Sequence, residues 1–354
     1  MIIEKSRIAP KLSRLKTIIP TKSTVESIQG ILYKDKTLYT TNLEISIQTA
    51  LESDSDDVFI IPSRAIDLIE SLPEGQIEIT SEGNNSIKIK TKYINNKFQS
   101  YDPNTFPKME DELKATATGK IEGKDLEKGI KSVMYAVKEY LGKPILTGVY
   151  FDSSGGKLNI VGCDGYRMSW SKIECMNDFK FVIPKAIIQK LLSVGLTGEV
   201  EIEYKQSKAT FKTDDYIIHT GLLEGDYIDY TKMFLKESSK ITVNRVMLTE
   251  ATKRCMLCAE DKSKNVIKLK IKKNNITIST NSELSEYTEE IIAENSIEDI
   301  TIGFNGAYLM DFLKSFEDEK LELNFSPNLL TAENTEQSAL IVAIKIHGAN
   351  NGTS

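Results

Sequence analysis

The chain of 354 residues is poor in histidine and cysteine, two residue types on which many catalytic and metal sites depend. It contains two histidines, His219 and His347, and neither stands in a recognisable nucleophile, metal or phosphate-binding motif. No glycine-rich loop follows a predicted strand and opens a helix. These absences argue against an enzyme, and no cofactor is expected.

Cysteine is also scarce, and its distribution argues against a disulfide framework, because the four cysteines are scattered through a long chain. Cys255 and Cys258 form a C-x-x-C in a stretch predicted to be helical, but no second cysteine or histidine pair completes a zinc set. We interpret them as small apolar residues on a helix face and expect no metal site, a metal or redox role being the alternative.

Long apolar runs are missing as well. No stretch approaches the roughly 18 apolar residues that span a bilayer, and the opening MIIEKSRIAPKLSRLK lacks the apolar region of a secretory signal. We therefore expect a cytoplasmic protein. The net charge of -6 taken alone argues against nucleic acid, but the distribution of charge matters more than its sum.

What the chain does contain is an internal repeat. A strand followed by a short amphipathic helix occurs in FIIPSRAIDLIESLPEGQIEI, FVIPKAIIQKLLSVGLTGEVEI and ITIGFNGAYLMDFLKSFEDEKLEL. Pro62, Pro184 and Asn305 occupy equivalent positions, 122 and 121 residues apart. Apolar residues recur at i and i+3 in each copy, as one buried helix face requires. These aligned positions are Ile66, Ile188 and Leu309, followed by Ile69, Leu191 and Phe312.

A second landmark gives nearly the same period. A helix followed by a hairpin recurs upstream, and the second strand of the hairpin is predicted to begin near Leu38, Leu158 and Ile276, 120 and 118 residues apart. Each repeat runs strand, helix, strands, helix, strands, which predicts an α+β domain of antiparallel sheet with two helices on one face. We expect three such domains, at residues 1–117, 118–237 and 238–354, the last with a short polar C-terminal tail.

Basic residues gather on the first helix of each repeat. Lys11 and Arg14 mark the first of these helices, Lys138 the second, and Lys253 and Arg254 the third. Each helix alone fits an ordinary solvated face, but three equivalent helices with the same bias favour a common basic surface. Lysines act as point charges, so such a surface would hold phosphates without reading bases.

Four segments in register with this repeat resemble the bacterial DNA polymerase III beta sliding clamp family. They are FPKMED, KPILTGVYFDSSGGKLNIVGCDGYRMSW, LLEGDYIDYTKMF and ITIGFNGAYLMDFL. The resemblance implies the DNA clamp fold, in which two subunits join head to tail in a ring of six domains with helices inside and sheets outside. It also implies a replication processivity factor that encircles duplex DNA as a homodimer, independently of base sequence.

The resemblance further implies positions for the three contact surfaces of such a clamp. Its expected partners are the DNA polymerase III alpha subunit, the clamp loader and other proteins with a clamp-binding peptide motif. The DNA-facing candidates are Lys22, Lys138, Tyr140 and Lys143 from the resemblance, together with Lys11, Arg14, Lys253 and Arg254 from the basic helices. The candidates for the dimer interface are Met109, Leu257 and Cys258.

The family's partner-peptide groove, carried over position by position, is an apolar trap in which Asn305 and Arg167 would fix the peptide backbone or a polar group. Its residues are Leu146, Gly165, Tyr166, Arg167, Met168, Ile228, Met233, Asn305, Tyr308, Leu329, Thr331, Leu340, Val342, Ala343 and Ile344. The alternative for many of them is simple packing at a domain junction.

Two rival functions remain at this point. An enzyme would have to combine Asp164, Tyr166 and Arg167 with a histidine, but Asp164 and Gly165 are better explained as a turn leaving a strand. A non-encircling scaffold would keep the fold and the groove without closing a ring, and the sequence does not discriminate against it.

Overall fold

The computed structural model describes residues 1–108, 117–138, 142–175, 178–205, 207–234, 239–259, 266–272, 274–283, 285–295 and 300–344. Contacts divide the chain into two compact units. The first unit comprises Met1–Glu127, Ser153–Gly156 and Glu174–Glu224, and the second comprises Lys128–Asp152, Lys157–Ile173 and Gly225–Ser354.

The same order of elements, strand, helix, four strands, helix and three strands, occurs three times along the chain. The first run is β1 (Ile2–Glu4), α1 (Lys5–Lys16), β2 (Gly30–Lys34), β3 (Thr37–Thr41), β4 (Ile45–Ala50), β5 (Phe59–Pro62), α2 (Ser63–Ser71), β6 (Gln76–Ser81), β7 (Ser86–Lys90) and β8 (Asn95–Gln99). The second is β9 (Ala117–Glu122), α3 (Gly123–Met134), β10 (Gly148–Ser154), β11 (Lys157–Cys163), β12 (Arg167–Glu174), β13 (Phe179–Pro184), α4 (Lys185–Val194), β14 (Glu199–Lys205), β15 (Lys208–Lys212) and β16 (Ile217–Gly221). The third is β17 (Ser239–Asn244), α5 (Arg245–Leu257), β18 (Val266–Lys272), β19 (Asn275–Asn281), β20 (Glu286–Asn295), β21 (Ile300–Asn305), α6 (Gly306–Lys314), β22 (Lys320–Ser326), β23 (Leu329–Glu333) and β24 (Gln337–Val342).

The first unit contains two antiparallel sheets. One has eight strands in the order β5-β2-β3-β4-β16-β15-β14-β9, and the other has four in the order β1-β6-β7-β8. Helices α1 and α2 pack together, and α1 also contacts α4. Each helix buries one apolar face, which for α1 consists of Ile8, Leu12 and Leu15.

The second unit contains eleven neighbouring strands of one sheet, in the order β10-β11-β12-β24-β23-β22-β17-β20-β19-β18-β21. Helices α5 and α6 pack against each other and against these strands. Their buried faces and the inner faces of β17 to β24 form one apolar core that includes Leu248, Leu309 and Phe312.

Local chemistry sets where the helices begin. Helices α2 and α4 follow directly after Pro62 and Pro184, whose extended backbone and fixed φ end the preceding strand. Helices α5 and α6 begin after Asn244 and Asn305, whose side chains accept backbone N–H groups of the first turn. The predicted equivalence of Pro62, Pro184 and Asn305 is therefore confirmed. The two prolines end the preceding strand, whereas Asn305 caps the helix that follows it.

The predicted repeat is confirmed at both landmarks. The six aligned apolar positions of α2, α4 and α6 are all fully buried. Strands β3, β11 and β19 begin one residue before Leu38, Leu158 and Ile276. The domain limits near residues 117 and 238 stay predictions, because residues 109–116 and 235–238 lie outside the described part of the chain. The polar tail from residue 345 onward lies outside it too.

Cys255 is fully buried in α5, as predicted for a helix-face residue, and Cys258 follows the end of this helix and is half-buried. Burial raises the pKa of the Cys255 thiol to about 12. Across the described ranges, no cluster of three or more His, Cys, Asp or Glu side chains has the arrangement of a metal site. Within the same residues, no helix combines the length and apolar character needed to cross a membrane.

Candidate functional site

Strands β12, β23 and β24 hold six of the fifteen predicted groove residues in the second unit, and four more adjoin the ends of β12 and β24. Met168 and Thr331 both pair with Leu340, from β12 and β23 on either side of β24. Leu329 pairs with Val342 in the same ladder. Segments more than 160 residues apart in sequence thereby present their side chains on one continuous surface, because neighbouring strands lie about 4.8 Å apart.

The last residue of β24 and the two residues after it continue this arrangement. The amide of Val342 donates to the carbonyl of Tyr166 at 2.8 Å, and the amide of Ile344 donates to the carbonyl of Gly303 at 2.8 Å. The amide of Ala343 donates to Asn328 at 2.9 Å. The predicted residues of the C-terminal strand are therefore hydrogen-bonded to three separate segments, at Tyr166, Asn328 and Gly303.

An apolar cluster forms the floor of this surface. Leu146, Met168 and Leu340 are buried in it, and Ile228 and Leu329 pack against it half-buried. Sequence reasoning did not assign its remaining members, which are Val161, Cys163, Tyr230, Ile145, Tyr150, Trp170, Tyr227 and Phe234. The aromatic members stack closely, since the rings of Tyr150 and Tyr227 lie 4.5 Å apart and those of Trp170 and Tyr230 lie 4.9 Å apart.

Burial dominates the titration of the phenols in this cluster. It raises the pKa of Tyr150 to about 12 and also raises the pKa of Tyr227 and Tyr230. These three tyrosines stay neutral at physiological pH, so the cluster behaves as an apolar surface.

Three predicted groove residues are large, apolar and exposed. Tyr166 is 59% exposed, Met233 is 44% exposed and Val342 is 38% exposed. Single exposed apolar residues are common, but three in one predicted site above a buried apolar floor are typical of an interaction surface. Burial by a partner would gain about 25 cal/mol for each Å² of apolar surface removed from water.

A tight turn before β12 carries Tyr166. The Oδ1 atom of Asp164 accepts the amides of Tyr166 and Arg167 at 2.9 and 3.0 Å. Gly165 between them has φ +87°, a left-handed conformation that glycine adopts without strain. The predicted turn after the strand is therefore confirmed, and the Asp164 carboxylate is engaged in holding it.

Arg167 ties this turn to α6. Its Nε atom donates to Asp164 at 3.1 Å, and its terminal nitrogen donates to Asp311 at 2.6 Å. Its guanidinium lies 4.2 Å from the centre of the Tyr308 ring. Because both carboxylates engage the buried guanidinium, Arg167 holds the turn against α6, and its predicted contact with a peptide stays a prediction.

Asn305 and Tyr308 are likewise engaged. The side-chain Oδ1 atom of Asn305 accepts the amides of Ala307 and Tyr308 at 2.9 and 3.3 Å and caps α6. The Tyr308 hydroxyl accepts a hydrogen bond from Lys138 at 2.8 Å, and the lysine also lies 3.4 Å from Asp164. The Tyr308 hydrogen bond, with support from the Asp164 charge, raises the pKa of Lys138.

The predicted DNA-facing residues fall into two groups. Lys22, Lys143 and Lys253 are exposed, as a phosphate contact requires. The remaining described candidates already make local contacts. These are Lys11 and Arg14 beside the Tyr216 ring, Lys138 as above, and Arg254, which makes two hydrogen bonds to Glu289. Tyr140 lies outside the described residues.

The candidates for the dimer interface also differ in how exposed they are. Leu257 at the end of α5 is 83% exposed, as a contact with a second subunit requires. Cys258 beside it is half-buried. Met109 lies outside the described residues.

Comparison with known proteins assigns the family. Residues 120–229 match the family model described as DNA polymerase III beta subunit, central domain, and residues 235–343 match the model of its C-terminal domain. The chain belongs to the DNA polymerase III beta subunit family. This membership makes it a DNA sliding clamp and not an enzyme, as predicted from the resemblance.

Relatives of this clamp cover nearly its whole length. The beta sliding clamp of Streptococcus pneumoniae strain R6 is 27% identical over 344 residues, which cover 92% of this chain and 90% of the relative. The beta sliding clamp of Rickettsia felis is 24% identical over 379 residues, with 98% of this chain and 99% of the relative covered.

Solved structures of other clamps share the fold. The DNA polymerase III subunit beta of Pseudomonas aeruginosa matches with a TM-score of 0.91 at 21% identity, covering 98% of this chain and 100% of that one. The beta chain of Streptococcus pneumoniae TIGR4 matches with a TM-score of 0.89 at 25% identity, covering 98% of this chain and 99% of that one. The predicted clamp fold of α+β repeats is confirmed.

Some residues that contact the predicted groove residues were missed from the sequence. Asp311 and Tyr135 contact Arg167, and neither was assigned a role, although Asp311 lies within the recognised segment ITIGFNGAYLMDFL. Asp164 and Lys138 were noted for other roles, as a turn residue and as a DNA contact. The spacing of the segments does not reveal that these side chains meet.

Proposed function

We propose that this clamp closes with a second copy into a ring around duplex DNA and tethers partner proteins through the groove of the second unit. The observation that carries the tethering site is the exposure of Tyr166, Met233 and Val342 above the buried apolar cluster. Family membership implies DNA, a DNA polymerase and a second subunit as partners in general terms. The alpha subunit, the clamp loader and other proteins with a clamp-binding motif are the specific partners that we propose.

A short apolar peptide fits this surface because hydrophobic side chains gain most where a buried floor already excludes water. Replacing Tyr166, Met233 or Val342 by a smaller or charged residue removes that gain and leaves the buried residues unchanged. The groove assignment as a whole, including Gly165, Thr331, Ala343 and Ile344, belongs to this proposal.

The groove is tested with the variant Met233→Glu/Val342→Glu and a fluorescent clamp-motif peptide. We expect peptide affinity to fall at least tenfold, since that factor corresponds to a loss of about 1.4 kcal/mol of apolar binding energy. The matched control is Val246→Glu/Met247→Glu, which charges two half-exposed apolar residues of α5 outside the groove. Equal affinity of both variants and the unaltered clamp, with unchanged thermal unfolding, would place the site elsewhere.

DNA contact is proposed for three exposed lysines, of which Lys253 lies on α5 and Lys22 and Lys143 lie outside the helices. Lys22, Lys143 and Lys253 offer charges that are not buried, and such contacts are independent of base sequence. Tyr140 and the locally engaged candidates are retained as weaker contributors. A sequence-independent contact is compatible with movement along the duplex.

The repeat also supports a specific mode of ring closure. Strand β4 pairs with β16, and β12 pairs with β24, each joining one repeat to the next. Among the described strands, the equivalent β8 ends its sheet, and residues Glu286–Glu290 of β20 pair on one side only, with β19. We infer that β8 of one subunit pairs antiparallel with β20 of its partner, which satisfies both edges.

The register of this contact follows from hydrogen bonds that recur in all three repeats. The turns before β4, β12 and β20 are closed by equivalent amides, at Asn42, Asp164 and Ser282. Just after β8, β16 and β24, equivalent backbone amides donate hydrogen bonds, at Ser100, Leu222 and Ala343. These three positions align the three strands with one another. Since Ser46 pairs with His219 and Met168 with Leu340, the equivalent pair is Lys97 of one subunit and Glu286 of the other.

The charges of that pair are complementary, which supports the register. Leu257, Cys258 and Met109 remain proposed contributors to the same interface. The cytoplasmic location expected from the sequence also remains a proposal, in keeping with a chromosome-associated role.

A further inference from the structure

Lys138 lies beside two tyrosine rings of the proposed peptide site. Its Nζ atom is 5.6 Å from the centre of the Tyr166 ring and 5.3 Å from the centre of the Tyr308 ring. Both distances are within the roughly 6 Å over which a cation is attracted to an aromatic ring. The resemblance assigned this lysine to DNA, whereas the structure places its charge against groove residues.

Two further contacts hold the ammonium group of Lys138 in this place. It donates a hydrogen bond to the Tyr308 hydroxyl at 2.8 Å, and it lies 3.4 Å from the Oδ2 atom of Asp164. The Tyr308 hydrogen bond, with support from the Asp164 charge, raises the pKa of Lys138. The side chain is therefore charged throughout the physiological pH range.

The Tyr166 ring is the exposed member of this arrangement. It is 59% exposed, whereas the Asp164 side chain is fully buried. Packing leaves several rotamers open to a ring that is mostly in solvent. A cation held by the fold beside such a ring favours the rotamer that keeps the ring next to it.

The equivalent turn before β4 shows that the backbone does not need the charge of Asp164. The Oδ1 atom of Asn42 accepts the amides of Glu44 and Ile45 at 3.0 and 2.9 Å, as the Oδ1 atom of Asp164 accepts two amides in the turn before β12. Leu43 has φ +78°, close to the +87° of Gly165. A neutral amide side chain therefore closes the same turn.

The second oxygen of Asp164 makes the contacts that Asn42 cannot make as an anion. It accepts a hydrogen bond from the Nε atom of Arg167 at 3.1 Å, and it is the oxygen that lies 3.4 Å from Lys138. The carboxylate charge is thus used to hold two cations. Through Lys138 its influence reaches the Tyr166 ring.

Tyr166 is joined directly to another exposed residue of the groove. Its backbone carbonyl accepts the amide of Val342 at 2.8 Å, and Val342 pairs with Leu329 in the sheet. A side chain that is fixed before a ligand arrives loses less conformational freedom when the ligand binds. The position of the Tyr166 ring in the free clamp therefore affects how tightly a peptide binds beside Val342.

We propose that Lys138 is a positioning residue of the peptide groove, which fixes the exposed ring of Tyr166 by a cation–π contact before the peptide binds. Lys138 itself does not touch the peptide. This inference rests on the proposed peptide site and deepens it, since it names the residue that orients one of the exposed side chains of that site.

A double-mutant cycle on peptide affinity tests whether Lys138 acts through Tyr166. Lys138→Met, Tyr166→Leu and the double variant are titrated with the fluorescent clamp-motif peptide. Lys138→Met alone should weaken the peptide roughly threefold, as suits the loss of one partly exposed cation–π contact. In the Tyr166→Leu background the same substitution should change the affinity by less than about 1.5-fold, because leucine has no aromatic face. Equal effects in both backgrounds would overturn the proposal.

Conservative variants separate positioning from a general effect on the fold. Lys138→Arg keeps a cation beside the ring and should bind the peptide within about 1.5-fold of the unaltered clamp. Lys240→Met is the control, an exposed lysine of the second unit paired with Glu322, and should leave the affinity unchanged. A Lys138→Met variant with a lower thermal unfolding temperature and normal peptide affinity would assign Lys138 to stability alone.

A spectroscopic readout tests the contact without any peptide. In the full-length clamp labelled with ¹³C in the tyrosine rings, the Tyr166 signal is assigned as the one that Tyr166→Leu removes. Lys138→Met should shift this signal in the free clamp, and Lys240→Met should not. An unshifted Tyr166 signal in Lys138→Met would show that the lysine does not position the ring.

Failure of this inference is distinguishable from failure of the groove. If Met233→Glu/Val342→Glu binds the peptide normally, the groove assignment is refuted and the positioning role with it. If that variant loses the peptide while Lys138→Met binds it normally, the role of Lys138 alone is refuted. Normal peptide affinity in Lys138→Met, together with a decrease of about 0.9 in the slope of log duplex affinity against log salt, would return Lys138 to DNA contact.

Discussion

A reversal of charge at the proposed subunit contact tests the ring at a single pair of residues. The register places Lys97 of β8 opposite Glu286 of β20 in the partner, and a head-to-tail dimer contains this pair twice. Lys97→Glu replaces the attraction by a repulsion between directly opposed cross-strand residues. Such an exchange costs roughly 1 kcal/mol per contact and therefore about 2 kcal/mol per ring, or about 30-fold in the dimer dissociation constant.

The assay is sedimentation equilibrium at low ionic strength for the single variants Lys97→Glu and Glu286→Lys and for the double variant. Each single variant should weaken the dimer, and the double variant, which restores opposite charges in reverse order, should recover most of the affinity. Lys97 also lies 3.2 Å from Glu82 within its own subunit, so thermal unfolding of each variant is measured alongside. A double variant as weak as the sum of the singles would refute the register.

Two further predictions concern the groove turn and the DNA contact. Arg167→Met leaves the buried Asp164 carboxylate without its guanidinium partner, so the free energy of unfolding, measured by urea denaturation, should fall by about 3 kcal/mol. The control variant Lys240→Met should leave the free energy of unfolding nearly unchanged. A loss below about 1 kcal/mol in Arg167→Met would show that Arg167 does not have this structural role. The triple variant Lys22→Gln/Lys143→Gln/Lys253→Gln should bind duplex DNA more weakly in fluorescence anisotropy. The slope of log affinity against log salt concentration should decrease by about 0.9 for each phosphate that is no longer neutralised. An unchanged slope would show that none of these lysines contacts phosphate.

The repeat and its helices could be predicted because their signal is local. Ile66 and Ile69 lie one turn apart on a buried helix face, and the same spacing at Leu309 and Phe312 gives the same face in the third repeat. A strand that begins beside Leu38 or Leu158 leaves an alternating pattern in a few residues. Such elements are specified by neighbours in sequence, and the resemblance to clamps then gave their arrangement.

The side-chain partners could not be predicted because they depend on register between distant strands. Arg167 meets Asp311 across 144 residues, and Lys138 meets Tyr308 across 170. A shift of one residue in the pairing of β12 with β24 would turn Met168 and Leu340 away from each other. The resemblance assigned Arg167 to the peptide and Lys138 to DNA, but it did not reveal that both side chains also contact residues of the fold.

The equivalence of the turns before β4 and β12 could not be predicted from the sequence either. Leu43 and Gly165 share a backbone conformation but have unrelated side chains, so no pattern of residue types connects them. The hydrogen bonds of Asn42 and Asp164 reveal the correspondence, because both side chains close the same turn.

The central claim is that this clamp holds DNA by encircling it, and loading on circular DNA tests that claim most directly. Clamp loaded by a clamp loader and ATP onto a nicked circular plasmid is separated from free protein by gel filtration, before and after the plasmid is cut once by a restriction enzyme. Encirclement predicts that the clamp stays with the circle and slides from the linear DNA. Equal retention on both forms would contradict it and would favour the non-encircling scaffold.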